Sequence, residues 1–153
     1  AGQAGQRRER AHHQCAQVLL AALVREAATS GVQAWLGEQD ANQLAISNWT
    51  VTEMSSALAL KLRVGAITID QRALALSAFS TLVSDSLLVL PVNGDHFTTA
   101  ARMADQYDLG LRAGDALHCA VAAGRGAVLA TLDRRLAHAC PRLGVPTVMP
   151  VSI

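Results

Sequence analysis

Glu53, Asp115 and Asp133 are the residues of this chain whose types and positions point to shared chemistry. Glu53 follows the apolar run "QLAIS", Asp115 opens "GDALHCA", and Asp133 directly follows "AVLAT", with Thr131 beside it. Each acid also has a purely structural role open to it. Glu53 can complete a capping box with Thr50. Asp115 and Asp133 can be helix N-caps, each stabilising its helix by about 1 kcal/mol. Asp95 likewise follows a strand-like run; it is expected to cap a helix and is assigned no chemistry. Together the three acids read differently. Carboxylates gathered at one edge repel one another unless a cation neutralises them, and hard oxygen donors suit Mg2+ or Mn2+. Helix N-termini keep such groups ionised. A metal so held deprotonates water and stabilises in-line displacement at phosphorus, which is the chemistry of a metal-dependent nuclease.

An edge of this kind needs strands that end together. Four apolar runs predict strands at about 43–47, 87–92, 127–131 and 146–150. Between them lie segments of helical period. "NWTVTEMSSALALKLRVG" places Val51, Met54, Leu58 and Leu62 on one face and ends at Gly65. "TIDQRALALSAFSTLVSD" has Thr68 and Gln71 as a second possible capping box, followed by Leu76, Phe79 and Val83. "DHFTTAARMADQYD" predicts a helix with Phe97, Ala100, Ala101 and Ala104 inward. "GDALHCAVAAGRG" and "LDRRLAHAC" predict two more helices. Strands apolar throughout, alternating with helices, imply a mostly parallel sheet covered on both faces, a three-layer α/β/α domain. In such sheets sites form beyond the carboxyl ends of the strands, where all three acids fall.

The 153 residues suit one domain, and 51% apolar with 16% charged residues describes a globular chain. No apolar run is long enough for a membrane span, and the start lacks a signal-peptide pattern, so a cytoplasmic location is expected. Cys15, Cys119 and Cys140 are too few and too widely spaced for a disulfide framework or a CxxC metal site. Cys119 and Cys140 are expected as small packing residues, and His118 at a helix surface or interface. A net charge of +1 does not announce a nucleic-acid binder. Of the 13 basic residues only Lys61 is a lysine. Arg125, Arg134, Arg135 and Arg142 lie near two of the acids in sequence and could contact phosphates, or form a solvated helix face. With 3% aromatic residues, a stacking platform for single-stranded bases is not expected.

The order and wording of "AISNWTVTEMSSAL" and "GLRAGDALHCAVAAGRGAVLATLDRRLAHACPRLGVPTV" resemble the PIN domain, in its VapC-type toxin branch. The matching positions are Thr50 with Glu53, then Asp115-Ala116-Leu117-His118, then Thr131 with Asp133, over roughly residues 18 to 153. The resemblance implies an Mg2+-dependent endoribonuclease of a type II toxin–antitoxin system. Glu53, Asp115 and Asp133 would be its acidic metal-site residues, with Thr131 in support. It further implies an RNA substrate, a VapB-type antitoxin that holds the toxin inactive, and a homodimer.

One family feature is missing. The family's first strand ends in a further aspartate, and its downstream half is present here as "VLLAALVRE". Counting back from Val18, the aspartate's place holds Cys15, and the preceding "RERAHHQC" is too polar for a strand buried on both faces. Residues 1–17 are therefore expected as an atypical tail or a mis-specified first strand, through a frame or start-site error or in a degenerate toxin gene, with 18–153 as the PIN-like domain. Cysteine is a poor Mg2+ ligand. The alternative is thus an impaired PIN-like module that binds an antitoxin or a dimer partner without turnover. A zinc site of His12, His13 and Cys15 is not expected.

Overall fold

The computed structural model describes residues 11–151. In chain order the elements are β1 (His12–Gln14), α1 (Ala16–Leu23), α2 (Thr29–Gly37), β2 (Leu44–Ser47), α3 (Asn48–Arg63), α4 (Ile69–Ser86), β3 (Leu88–Leu90), α5 (Gly94–Ala104), α6 (Ala113–Arg125), β4 (Val128–Ala130), α7 (Arg134–Arg142) and β5 (Thr147–Val148). The strands form one sheet in the order β3-β2-β1-β4-β5, every neighbouring pair parallel. Among the described residues no helix is long and apolar enough to cross a membrane.

Both faces of the sheet are covered, as the continuous apolar runs require. Successive strand residues point to opposite faces. Ala45 of β2 packs with Val121 of α6, whereas Ile46 packs with Leu19, Met54, Leu58 and Phe79. Leu129 of β4 joins Cys119, Ala120 and Leu136, whereas Ala130 joins Val18, Ala21 and Val32. The layer of α5, α6 and α7 therefore lies on one side and that of α1 to α4 on the other, giving the expected three layers. Burying each aliphatic side chain contributes about 1.5–3 kcal/mol.

The central strand departs from expectation. The polar "HHQ" forms β1 between β2 and β4, with His12 opposite both Leu44 and Val128. Neighbours on each side complete its backbone hydrogen bonding, and that overrides side-chain polarity over three residues. The ladder continues past the strand, since the Cys15 N–H donates to the Ala130 carbonyl at 3.1 Å. Polarity still has a cost. His13 and Gln14 are fully buried, and His13 Nδ1 and Gln14 Oε1 lack hydrogen-bond partners among the described residues. Each such atom costs about 1–3 kcal/mol. Residues 1–10, the rest of the expected tail, lie outside the described residues.

Three helix starts differ from the sequence expectation. Helix α3 is capped by Ser47, in a box with Thr50 rather than one from Thr50 to Glu53. Helix α5 is capped by Asn93 in a box with His96, and Asp95 lies inside the first turn. Asp115 lies in the first turn of α6 rather than at its N-cap, which is Arg112. The Thr68–Gln71 box forms as the spacing predicts. Phe97, expected inward, is 57% exposed. Cys119 and Cys140 are buried in the core as expected, where α6 and α7 lie side by side and bring their Cα atoms to 6.2 Å.

Candidate functional site

Parallel strands bring the ends of β1, β2 and β4 to one edge of the sheet. Cys15 follows β1, Ser47 closes β2, and Thr131 follows β4. Hydrogen bonds lock these ends together. Thr50 Oγ1 donates to the Gln14 carbonyl at 3.3 Å, fixing the start of α3 against the end of β1. Thr131 Oγ1 accepts from the Asp133 N–H at 3.0 Å.

The three acids reach this edge from three helices. Asp133 caps α7, accepting from the N–H groups of Arg135 at 2.8 Å and Leu136 at 3.2 Å. Asp115 accepts from the Arg112 N–H at 3.3 Å. Glu53 takes no part in capping; its carboxylate pairs with His118 Nε2. In turn His118 Nδ1 meets His13 Nε2 at 3.1 Å. A chain of side chains thus runs from the central strand through α6 to Glu53.

Cys15, buried at the end of β1, lies within the electrostatic reach of all three carboxylates. It is 1% exposed. Burial raises its thiol well above the usual range, Glu53 pushes the same way, a hydrogen bond with Thr131 pulls back, and Asp115 and Asp133 push upward again. The thiol therefore stays protonated. His13 shifts the opposite way, down to about 3, first through burial and then through His118.

Magnesium takes oxygen donors in near-octahedral array. Among the described residues no group of three or more His, Cys, Asp and Glu is arranged to hold a metal ion. Three carboxylates have the right chemistry, but a protonated thiol lies among them and Glu53 is engaged by His118. As they stand, these residues do not fit a magnesium centre.

His118, expected at a helix surface or interface, is 3% exposed and packed within the fold. The signal for its role is spacing: residues three apart share a helix face, so His118 lies beside Asp115. Likewise the period of two puts His13 and Cys15 on one face of β1. The arginines spread out. Arg134 and Arg135 are exposed in the first turn of α7, and Arg135 Nη1 donates to the Gly110 carbonyl at 3.5 Å. Arg142 pairs with Asp108 at 2.8 Å. Arg125 ends α6, about 15 Å along the axis from Asp115.

The cap role of Asp133 has a measurable expectation. Asp133→Ala should lower stability by about 1 kcal/mol, or roughly 2–4 °C in Tm, by urea and thermal unfolding without divalent metal. An unchanged Tm would mean that relief of repulsion among the acids offsets the lost cap.

The PIN domain model matches residues 16–140. A comparison with curated proteins returns no significant match. Several solved structures are similar. PAE2754 from Pyrobaculum aerophilum is 26% identical with a TM-score of 0.67, covering 92% of this chain and 92% of its own. VapC20 from Mycobacterium tuberculosis, a sarcin-ricin loop cleaving toxin, is 16% identical with a TM-score of 0.67, covering 84% and 95%. VapBC2 from Rickettsia felis, bound to a DNA fragment from its promoter, is 12% identical with a TM-score of 0.62, covering 90% and 97%.

Proposed function

This chain belongs to the PIN domain family, and from that premise we propose that it is the VapC-type toxin of a type II toxin–antitoxin pair, an endoribonuclease module directed at RNA phosphodiesters. One observation carries the reading: Glu53, Asp115 and Asp133, from three separate helices, all act on the one buried position at the end of the central strand. Such an edge repels a phosphodiester unless a divalent cation accompanies it, and Mg2+ or Mn2+ is the class that carboxylates take. Asp115 and Asp133 are positioned by backbone N–H groups, Glu53 by His118, and Thr131 braces Asp133. Arg134 and Arg135, and with less support Arg125, are proposed to contact RNA phosphates. The likeness to VapBC2 supports a VapB-type antitoxin as partner. A homodimer and a cytoplasmic location accompany the reading.

Cys15 favours a second reading, in which the chain binds antitoxin or its own copy without turnover. The deciding assay is cleavage of single-stranded RNA by the purified chain with Mg2+ or Mn2+. The toxin reading expects weak cleavage that falls at least 100-fold in Asp115→Ala, a loss of about 3 kcal/mol of transition-state stabilisation. Absence of cleavage, together with tight capture of an amphipathic VapB-type helix, establishes the binding module instead.

A further inference from the structure

We propose that the cavity between the first turn of α3, α5 and the start of α6 receives one nucleobase of the RNA strand whose phosphate lies at the Glu53, Asp115 and Asp133 edge. This rests on the ribonuclease reading above and adds to it the place where the strand is gripped. The cavity encloses about 240 Å³ and is lined by residues that include Trp49, Phe97, Ala100, Ala104, Gly114 and Leu117. Two Trp, two Phe and one Tyr are all the aromatic residues of the chain, and two of these five lie here together. The low aromatic content argued against any stacking platform; the fold concentrates what there is.

Three features select the ligand class. First, the wall is almost entirely carbon, so it takes a flat apolar face and has no cation for a bare phosphate. Phe97, on the outward side of α5, presents a ring that is 57% exposed. Second, Trp49 and Phe97 line the same cavity, and their rings offer faces on which a planar base can stack, which an aliphatic side chain from a protein partner cannot use in the same way. Third, the cavity adjoins the acids. A Cβ at Gly114 would stand 3.3 Å from Trp49 Nε1 and 3.3 Å from Glu53 Oε1, and Asp115 is the next residue. A base seated here is tethered to a phosphate beside the carboxylates. Stacking on aromatic rings tolerates any base, because each has a π-face.

The test uses the full chain in a Trp35→Phe background, which leaves Trp49 as the sole tryptophan. Oligoadenylate and an abasic ribose-phosphate strand of equal length are titrated in millimolar Ca2+, which offsets the repulsion between phosphate and the acids. Trp49 emission reports stacking, and anisotropy of labelled strands reports binding. Oligoadenylate should quench Trp49 saturably. Phe97→Ala, which truncates an exposed ring and leaves the core intact, should weaken its binding about 10-fold, as should Trp49→Ala. The abasic strand should bind equally weakly to parent and variants. Oligoadenylate binding with unchanged Trp49 emission and unchanged variant affinities overturns the subsite while leaving the ribonuclease reading standing. No binding of any strand, by the parent or by Cys15→Asp, overturns both. Quenching by an amphipathic helical peptide that RNA cannot displace assigns the cavity to a protein partner and overturns the proposal.

Discussion

Replacing Cys15 with aspartate is expected to raise RNA cleavage in Mg2+ by about 100-fold or more, because a metal held by carboxylates contributes several kcal/mol to transition-state stabilisation. The position is 1% exposed, bonded to Thr131, and within the influence of Glu53, Asp115 and Asp133. In the native chain its neutral thiol spares the site a fourth negative charge. Aspartate at the same place adds that charge and a hard oxygen donor. Without metal the variant should be less stable than the parent, since four carboxylates converge in a poorly solvated edge. With millimolar Mg2+ its Tm should recover and pass the parent's, as a ligand bound only by the native state stabilises it. Thermal unfolding in EDTA and in Mg2+, for Cys15→Asp and for Cys15→Asp with Asp115→Ala, separates metal binding from cleavage. If the Tm of Cys15→Asp ignores Mg2+ and RNA stays intact, the three acids are structural and the nuclease reading fails with them.

Acid sensitivity is the second large effect. Burial, and after it the neighbouring His118, push the His13 imidazole down from its ordinary 6.5 to about 3 in the native state. Its folded pKa is depressed, and the neutral form is the one the fold accepts. Below pH 6.5 the unfolded chain takes up a proton that the native chain refuses. Stability is therefore fully present above pH 6.5 and is lost as pH falls toward 3. The slope approaches about 1.4 kcal/mol per pH unit, with a ceiling on the order of 4–5 kcal/mol over the window. Urea unfolding at pH 7, 6, 5 and 4 measures it. His13→Gln keeps a polar partner for His118 Nδ1 and removes the titration, so its stability should fall less steeply with acid. Equal slopes in parent and variant would show that His13 is protonated at no cost and that its burial does not govern acid lability.

The sequence by itself determined the layers and marked the three acids as candidates. Four strands and the helices between them follow from period, because apolar burial on both faces of a sheet leaves a continuous run and on one helix face a stripe. The acids were legible as candidates for a related reason: each follows an apolar strand or opens a helix, and sheet topology gathers such positions at one edge. Tertiary structure decided the rest. A polar "HHQ" became the central strand because its neighbours on both sides complete the backbone ladder, a long-range effect with no local signature. Glu53 turned from capping to His118 because Ser47, one turn earlier, took the cap. His13 met His118 across 105 positions, and Trp49 met Phe97 at one cavity, only once α3, α5 and α6 had packed. Cys15 was visible in sequence as a missing acid. That it is buried, protonated and under the influence of the remaining three is a property of the fold, since a thiol's charge depends on what surrounds it and not on the residues beside it in the chain.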